Sequence, residues 1–480
     1  MAGTQESNRS ITLGRPQAMP GAAEATPGFS TLALRAGYDP ADHLNASSVP
    51  IYATAAYALH NEEHATAIAS FESADDIYSR ISNPTTGVLE KRLAALHGAA
   101  GAVATASGLA ALSNAILNAA AGGGRILTSY RLYGGSVAAL RDVLPDLGIG
   151  IDIVPDPDNL DSWESAITDS TRAIVVESVS NPLTVVADLE ALAQIAHRHG
   201  IILIVDNTLA TPYLLNPFDF GADVVVYSTT KAINGHGNAI GGIVLESGRF
   251  DYANGNYPQF TRKQWFFKDR ALNPRSVIDV VPAAPFTTRL RGLLVTLLGA
   301  APSPFDSYLT LIGLETLKQC VTQEVATAEQ IVKHLEADPR VTRVYHPSAS
   351  GYEYKELAAK YLPRGGGSVL TFEVRGDGAL GAAEGTAADA AENAAARKCA
   401  VLDALKLFSL QANLGDSKSL AVDPVVVTHG ELDTKQLREA GITGGAIRLS
   451  IGLEEPDDLI ADLDQALDQA FGEAFDKTSA

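Results

Sequence analysis

This sequence lacks paired cysteines, long apolar runs and a secretory signal, and each absence excludes a class of protein. Cys320 and Cys399 are the only cysteines among 480 residues, and they stand far apart without a metal-ligand spacing. The sequence therefore predicts a reducing compartment, no disulfide and no metal site. No run reaches the roughly 18 apolar residues that a membrane span requires, and residues 1–28 hold no apolar signal segment. We expect a soluble, cytoplasmic protein without a membrane partner.

Positive charge is scarce as well. The 36 lysines and arginines are outnumbered by 56 aspartates and glutamates, which leaves a formal net charge of −20. Such acidity argues against nucleic acid as a partner, because the phosphate backbone requires a basic surface. Residues 255–291 mix aromatic side chains with arginine and lysine, a pattern that in isolation suggests single-stranded nucleic acid binding. In so acidic a chain, the pattern favours a lid or a loop that contacts another subunit.

The length and the 46% share of hydrophobic residues predict two or three units with buried cores. Residues 1–28 are rich in Gly, Pro, Ala, Ser and Thr and predict a disordered tail, and residues 29–76 predict an arm. Residues 77–300 alternate strands with helices and predict an α/β domain. Residues 301–480 predict a smaller α+β domain, in which the Ala/Gly-rich residues 376–396 predict an exposed, flexible insertion.

The central domain is predicted by short, continuous apolar runs separated by helical patterns. The predicted strands are residues 102–106, 125–129, 173–177, 201–206 and 224–228. Continuous rather than alternating apolar strands indicate a mostly parallel sheet with helices on both faces. In such a sheet, ligands bind beyond the carboxyl ends of the strands. Residues that follow these strands are therefore the candidates for chemistry.

Lys231 is the first of these candidates. It comes shortly after the apolar run 224–226 and precedes the glycine-rich residues 232–242, where the backbone can approach a ligand closely. A lysine delivered from a buried strand can lose its hydration and become a nucleophile toward a carbonyl, as a Schiff-base lysine does. A solvated loop lysine has the same local pattern. The assignment therefore depends on whether other residues supply a cofactor.

Two further strand ends supply what such a lysine needs. Ser107 and Gly108 open a helix, whose exposed N–H groups favour a phosphate, although a serine cap on a glycine turn has the same pattern. Asp206 ends the apolar run 201–205. A buried carboxylate needs a cationic partner such as a pyridinium nitrogen, although a helix cap or a structural ion pair is an alternative. A phosphate site, an acid for a pyridine nitrogen and a Schiff-base lysine are together what pyridoxal 5'-phosphate (PLP) requires.

Seven motifs in combination resemble a known family. They are residues 78–85 (YSRISNPT), 106–108 (ASG), 133–135 (YGG), 180–182 (SNP), 205–212 (VDNTLATP), 227–231 (YSTTK) and 448–452 (RLSIG). Together they are similar to the Cys/Met-metabolism family of fold-type I PLP-dependent enzymes, and the resemblance extends over residues 29–472. Within that family, the most similar branch is the O-acetylhomoserine sulfhydrylases. The segments that resemble this branch are residues 49–52, 83–92, 303–305 and 313–316.

The resemblance implies a fold-type I PLP transferase and a role for each matching residue. Lys231 forms the covalent bond to PLP and moves protons once the substrate has released it. Asp206 pairs with the pyridinium nitrogen, and Asn181 lies near the ring hydroxyl. Tyr133 stacks on the ring, contacts the substrate and takes part in acid/base transfer. The phosphate is held by Ser107, Gly108, Leu109, Ser228 and Thr230.

The remaining implied roles concern the neighbouring subunit and the substrate. Tyr78 and Arg80 reach the phosphate from the neighbouring subunit, which residues 29–76 contact as an arm. An active site therefore needs at least a homodimer, and a homotetramer is the state common in the family. Arg448 holds the carboxylate of the amino-acid substrate in a bidentate pair, helped by Asn413.

The implied reaction is a PLP-dependent γ-replacement on an O-activated homoserine, with O-acetyl-L-homoserine as the expected substrate. Sulfide or a thiol is the expected nucleophile, and the product is homocysteine or a related sulfur amino acid of methionine biosynthesis. Three alternatives stay open. They are γ-elimination to 2-oxobutanoate, γ-replacement with another nucleophile, including carbon, in specialised metabolism, and a binding protein that keeps the fold without turnover.

Departures from the family pattern concentrate on the substrate side. Gly135 stands where methionine γ-lyases have a cysteine, which argues against that activity. Leu109 stands where the sulfhydrylase branch has glutamine, and residues 318–323 lack its usual arginine and histidine. Residues 423–429 (DPVVVTH) replace the usual loop near the substrate, and His429 is expected to be a hydrogen-bonded loop residue. The sequence thus predicts an intact catalytic core with an altered substrate rim.

Overall fold

The computed structural model describes residues 27–376 and 387–472. The strands are β1 (Gly101–Thr105), β2 (Arg125–Thr128), β3 (Gly150–Ile153), β4 (Thr171–Glu177), β5 (Ile202–Asp206), β6 (Val224–Tyr227), β7 (Gly242–Glu246), β8 (Gln264–Lys268), β9 (Pro274–Arg275), β10 (Val341–Tyr345), β11 (Val369–Val374), β12 (Ser409–Leu410), β13 (Leu420–Val422) and β14 (Ala446–Ser450). Across the two described ranges, none of the helices is long and apolar enough to cross a membrane.

Helices of several kinds connect these strands. The α-helices are α1 (Phe29–Arg35), α2 (Glu62–Ala69), α3 (Pro84–His97), α4 (Gly108–Ala119), α5 (Gly134–Ala138), α6 (Leu160–Ala166), α7 (Leu189–Arg198), α8 (Thr211–Leu214), α9 (Pro258–Thr261), α10 (Val277–Val280), α11 (Pro285–Arg289), α12 (Thr296–Leu298), α13 (Pro304–Ala337), α14 (Lys355–Tyr361), α15 (Ala387–Ala404), α16 (Thr434–Glu439) and α17 (Pro456–Phe471). Short 3₁₀ segments are Pro40–His43, Pro145–Leu147 and Pro217–Phe220, and π-helical segments are Ala139–Val143, Leu290–Val295 and Pro424–Thr428.

The larger sheet has seven strands in the order β1-β7-β6-β5-β4-β2-β3. All neighbouring pairs are parallel except the two that involve β7. β5 is apolar along its length because both faces of the sheet are covered. Its residues Ile202 and Ile204 pack into a core that includes α4, and Leu203 and Val205 pack into a core that includes α7. The mostly parallel sheet with helices on both faces is thereby confirmed.

β7 is a strand that the sequence pattern does not predict. It follows the glycine-rich residues 232–242 and runs antiparallel between β1 and β6. A Cβ atom on Gly242 would lie 2.2 Å from the carbonyl oxygen of Ser107, so only glycine fits at this position. The glycine-rich segment therefore brings the chain back against the residues that open α4.

Most aromatic residues of segment 255–291 lie in the core, whereas Trp265 is 73% exposed. Tyr257, Phe260 and Phe267 are fully buried, and the ring of Phe260 stacks on that of Tyr252 with centroids 4.6 Å apart. The expectation of a lid is wrong for these residues, because their large apolar area covers one face of the sheet. A contact of this segment with another subunit stays a prediction.

The second sheet has five strands in the order β10-β11-β14-β13-β12, and only β12 and β13 are parallel. α13 is 34 residues long and contacts both α3 and β10, so it links the layers around the two sheets. The larger sheet lies within residues 77–300 and the smaller within residues 301–480. This placement agrees with the expected division, although the domain bounds and the arm of residues 29–76 stay predictions.

Residues 376–396 differ in part from the expected flexible insertion. Residues 377–386 lie outside the described residues, but α15 begins at Ala387 and packs against α17 and β11. Alanine has the highest helix propensity of all residues, which explains a helix where low complexity suggested an insertion. The predicted tail, residues 1–28, lies outside the described residues as far as residue 26.

Two helical glycines give a matched test of how closely α13 approaches the glycine-rich segment. A Cβ atom on Gly313 of α13 would lie 1.9 Å from the carbonyl oxygen of Asn234, whereas Gly87 of α3 has no atom within 4 Å of that position. We expect Gly313→Ala to lower the free energy of unfolding by about 1–3 kcal/mol through overpacking. Gly87→Ala should raise it by about 0.5–1 kcal/mol through helix propensity. Urea unfolding measures both, and equal midpoints for the two variants would contradict the close approach.

Candidate active site

The three predicted strand-end positions meet at one edge of the larger sheet. Gly108 lies against Ser228, because a Cβ atom on Gly108 would be 2.5 Å from the Ser228 Cβ. The backbone N–H of Ser228 donates to Thr208 Oγ1 over 2.9 Å, and Thr208 Oγ1 donates to Asp206 Oδ1 over 2.5 Å. The N–H of Lys231 donates to the carbonyl oxygen of Ser228. One continuous set of contacts therefore joins the helix opening, the acid and the lysine.

The opening of α4 has the features of a phosphate site. Ser107 Oγ accepts the N–H of Ala110 over 3.1 Å, so this serine caps the helix, as the alternative interpretation proposed. A cap and a phosphate site are compatible, because the N–H groups of Gly108 and Leu109 at the positive end of the helix are still available. The side chain of Leu109 is 39% exposed. Because Gly108 has no side chain, Ser228 can approach this end of α4 closely.

Thr230 is placed differently from the other predicted phosphate residues. Its hydroxyl donates to the carbonyl oxygen of Gly241 over 3.2 Å and accepts the N–H of Gly241 over 3.0 Å. The backbone N–H of Thr230 also donates to the Gly241 carbonyl. Both donors of Thr230 are thus engaged in closing the loop between β6 and β7. A phosphate could use them only if these bonds opened.

Asp206 is held by a residue to which the sequence assigned no role. Its Oδ1 atom accepts both the N–H and the hydroxyl of Thr208, at 3.0 and 2.5 Å. Burial raises the pKa of the Asp206 carboxyl, and the Thr208 bonds act in the opposite direction. Sequence reasoning could have found Thr208 from its position two residues after an aspartate, a pattern typical of side chains that bond the local backbone.

Glu177 is a second residue that the sequence did not single out. It ends β4, and its Cα is the register partner of Asp206 on β5. Its Oε1 accepts the N–H of Tyr133 over 2.6 Å and its Oε2 accepts the N–H of Asn181 over 3.0 Å. Burial, together with the charge of Asp206, raises the pKa of Glu177 to about 8. Two acids, Glu177 buried and Asp206 partly buried, thus stand side by side on neighbouring strands.

Lys231 and Arg448 form the positive side of the site. Lys231 Nζ donates to Asn413 Oδ1 over 2.6 Å, and burial, together with the charge of Arg448, lowers the pKa of the amine to about 8. Arg448, which is 2% exposed, donates to the carbonyl oxygen of Asn413 over 2.6 Å and to Asn181 Oδ1 over 3.1 Å. Its Nε has no hydrogen-bond partner among the described residues. Burial lowers the pKa of Arg448 to about 10.

Tyr133 lies between Glu177 and the altered rim. Its ring is 41% exposed, and the next residue, Gly134, is so close to the rim that a Cβ atom there would lie 2.2 Å from the carbonyl oxygen of Thr428. His429 is fully buried, with Nε2 3.1 Å from the Asn181 carbonyl oxygen, and burial lowers its pKa to about 4. The structure thus places His429 as the hydrogen-bonded residue that the sequence predicts.

Tyr78 and Arg80 are not joined to this group within one chain. The Arg80 guanidinium lies over the Tyr78 ring, 5.3 Å from its centroid, and donates to the carbonyl oxygen of Thr296. In the described part of the chain, neither side chain bonds to the residues that open α4. The Tyr78 ring is 41% exposed. The function of these two residues in a neighbouring subunit stays a prediction.

The residues at this edge fit PLP in three respects. The opening of α4 offers N–H groups to a phosphate. Among the described residues, the hydrogen bonds that Glu177 and Asp206 accept come from neutral groups only, so a pyridinium ion would supply the positive charge that these two acids lack. Lys231 supplies a partly buried amine of lowered pKa. Lys231, Asp206, Ser107, Gly108, Leu109 and Ser228 are therefore the residues that would hold the cofactor.

Comparisons with known proteins agree with this geometry. The profile of the family described as Cys/Met metabolism PLP-dependent enzyme matches residues 30–468. A sulfhydrylase of Fusarium oxysporum f. sp. lycopersici is 39% identical over 447 residues, covering 92% of this chain and 98% of that protein. The O-acetyl-L-homoserine sulfhydrylase of Leptospira meyeri is 37% identical, covering 91% of this chain and 96% of that protein.

A solved structure is also similar over nearly the whole chain. It comes from Campylobacter jejuni, is described as an O-acetylhomoserine (thiol)-lyase and contains N'-pyridoxyl-lysine-5'-monophosphate. Its TM-score is 0.84 at 36% sequence identity, with 92% of this chain and 99% of that chain covered. That neighbour therefore carries a pyridoxyl group on a lysine.

The lowered pKa of Lys231 predicts a distinctive reactivity in cofactor-free protein. Only the neutral amine is a nucleophile, so acylation of Lys231 should accelerate about tenfold per pH unit and level off above a pH of about 8. In the urea-unfolded chain the rate should continue to rise toward pH ~10.4. Arg448→Met removes the neighbouring positive charge, which should raise the pKa of Lys231. The acylation rate of the folded variant should therefore level off at a higher pH than that of the native protein. Peptide mass spectrometry gives the modified fraction, and identical folded and unfolded profiles would refute the effect of burial.

Proposed function

Because the chain belongs to the Cys/Met metabolism family of PLP-dependent enzymes, we propose that it is a γ-replacement transferase. Its substrate is an O-activated homoserine, for which we choose O-acetyl-L-homoserine, and its nucleophile is sulfide or a thiol. The product is homocysteine or a related sulfur amino acid. The name of the similar O-acetyl-L-homoserine sulfhydrylase of Leptospira meyeri supports this choice of substrate.

One arrangement carries the proposal, namely an amine and a guanidinium that share Asn413. The side-chain oxygen of Asn413 accepts from Lys231, and its backbone oxygen accepts from Arg448. An α-amino acid carries its carboxylate on the carbon whose proton must be removed. Arg448 can bind that carboxylate through the Nε that lacks a partner among the described residues. Lys231 then lies next to Cα, where a proton-transfer group is needed.

The chain's own residues divide the work of the reaction. Arg448 and Asn413 bind and orient the substrate carboxylate. Lys231 accepts the proton of Cα, passes it on and, neutral again, accepts that of Cβ, because an amine with a pKa of about 8 is partly neutral near neutral pH and can also return a proton. The Cγ–O bond then breaks and acetate leaves with the electron pair, after which the sulfur of the nucleophile bonds to Cγ and protons return to Cβ and Cα. PLP, when bound, draws electrons from Cα and thereby makes these C–H bonds acidic. Tyr133 would stack on the ring of the bound cofactor and take part in acid/base transfer.

A direct assay tests the proposal. Purified protein reconstituted with PLP should convert O-acetyl-L-homoserine and sulfide to homocysteine, measured by mass spectrometry. Lys231→Ala should lose this activity and the visible absorbance of the protein-bound cofactor. Arg448→Lys keeps the charge but not the planar fork, so it should raise KM for the amino-acid substrate by roughly tenfold or more.

Two controls separate this reaction from its rivals. Without a nucleophile, a γ-lyase would release 2-oxobutanoate at a rate comparable to that of the complete reaction, whereas a transferase should not. O-succinyl- and O-phosphohomoserine test the leaving group. Absence of every γ-substituted product, with the cofactor bound, would refute the proposal and favour a binding protein.

The rim gives a specific reason to include organic nucleophiles in the same assay. The π-helical turn Pro424–Thr428 contacts Gly134 beside Tyr133, and its residues Val426 and Val427 are 70% and 45% exposed. An apolar rim favours a nucleophile that carries an apolar group over sulfide alone. Alkyl thiols and carbon nucleophiles are therefore the second candidate class.

We also propose that the active enzyme is a homodimer or a homotetramer. Leu297 and Leu298 are 63% and 65% exposed and lie directly after Thr296, which bonds Arg80. Exposed apolar surface of this kind is typical of subunit contacts. In such a dimer Tyr78 and Arg80 complete the phosphate site of the neighbouring subunit.

Mixing two inactive variants tests this shared site. Lys231→Ala and Arg80→Ala should each have little activity, but a hybrid dimer contains one site with both native residues. A refolded 1:1 mixture should therefore recover about a quarter of the native activity, because about half of the dimers are hybrids with one intact site each. Hybrid formation is verified by native mass spectrometry. Hybrids without activity would contradict the shared site.

A cytoplasmic location is a further proposal. The two cysteines, Cys320 and Cys399, are both unpaired, which fits a reducing compartment.

A further inference from the structure

Glu177 joins two loops of the site through a single carboxylate. One oxygen accepts the N–H of Tyr133 in the loop after β2, and the other accepts the N–H of Asn181 in the loop after β4. The side chain is buried, and Glu177 itself is 7% exposed. A buried backbone N–H without a partner is costly. The two bonds therefore hold both loops to the end of β4.

The connection continues from these loops to the substrate-binding side. Asn181 Oδ1 accepts from Arg448 over 3.1 Å, and the Asn181 carbonyl oxygen lies 3.1 Å from His429 Nε2. A chain of hydrogen bonds thus runs from the backbone of Tyr133 through Glu177 and Asn181 to the guanidinium. The relative position of Tyr133 and Arg448 depends on the carboxylate in the middle.

A cavity of about 160 Å³ adjoins this connection. Glu177 lines it together with Ser129, Trp163, Val176 and Ser180, among others.

We propose that Glu177 is a positioning residue that sets the distance between Tyr133 and Arg448, and through it the binding of the substrate carboxylate. This inference rests on the proposed γ-replacement of an amino acid. Glu177 acts through the backbone of Tyr133 and Asn181 and does not touch the reacting atoms. A glutamine cannot replace it, because one of the two N–H groups would then face the amide NH₂ instead of an oxygen.

Glu246 provides a matched control. It is a second buried glutamate, 1% exposed, whose carboxylate accepts the N–H groups of Phe286 and Thr287 over 3.1 and 2.8 Å. It lies at the end of β7 that pairs with Gly101, away from the substrate-binding residues. Glu246→Gln thus imposes the same kind of defect outside the site. A purely structural role of Glu177 predicts the same behaviour for both variants.

The first measurement uses cofactor-free protein and needs no activity. Amide hydrogen exchange should accelerate in residues 130–135 and 179–183 of Glu177→Gln, by tenfold or more for the N–H groups of Tyr133 and Asn181. Glu246→Gln should leave these segments as in the native protein. If Glu177→Gln does not fold, Glu177→Asp keeps two oxygens on a side chain one methylene shorter and should show the same pattern at smaller amplitude. Unchanged exchange in both segments would overturn the proposal.

The second measurement uses the PLP-loaded enzyme. Glu177→Gln should raise KM for O-acetyl-L-homoserine by about tenfold to a hundredfold, the range expected for misplaced binding groups, while KM for sulfide changes little. An equal rise of both constants, or the same rise in Glu246→Gln, would also overturn the proposal. If the native enzyme has no γ-replacement activity, the proposed function fails, whereas the exchange experiment still decides whether Glu177 holds the two loops.

Discussion

The structure of the site depends on keeping two cations close together, Arg448 buried and Lys231 partly buried. Burial and the charge of Arg448 lower the pKa of the Lys231 amine to about 8, and burial lowers the pKa of the Arg448 guanidinium to about 10. Asn413 makes this arrangement tolerable because its two oxygens accept from both. Lys231 lies between β6 and β7 of the larger sheet, whereas Asn413 and Arg448 belong to the region of the smaller sheet. The hydrogen bond of the amine to Asn413 and its proximity to Arg448 therefore require the two regions to pack together.

The acids lie apart from this positive pair, on the ends of β4 and β5. Among the described residues, no hydrogen bond or ion pair joins Glu177 or Asp206 to Lys231 or Arg448. The site is therefore polarised, with the two acidic side chains at one end and the two basic side chains at the other. This polarity matches the chemistry of the family, because a pyridinium nitrogen and a substrate carboxylate are opposite charges that must bind in one cleft. It also explains why Lys231 is not neutralised by the acids of its own sheet.

The substrate rim is held in place by contacts other than those that hold the core of the site. The rim turn Pro424–Thr428 is fixed by Asp423, which caps it and pairs with the buried Lys398 of α15 over 2.5 Å. Breaking a buried pair of this kind costs several kcal/mol of stability. The pair with α15 therefore holds the rim turn beside Tyr133, although Tyr133 is distant in sequence from both α15 and the turn. The exposed side chains of Val426 and Val427 therefore lie on a turn that this ion pair holds in place.

The sequence alone determined five of the seven strands of the larger sheet and the residues at their ends, because a buried strand requires a continuous apolar run. Asp206 and Lys231 could be named from such local patterns, and motif resemblance added Arg448, Asn413 and Asn181. β7, Thr208 and Glu177 escaped this reasoning, as did the burial of Tyr257 and its neighbours. Only tertiary structure decided these points, since the pairing of β4 with β5 puts Glu177 beside Asp206, and packing of the two sheets brings Asn413 to Lys231. Contacts between residues distant in the chain leave no local pattern from which they could be predicted.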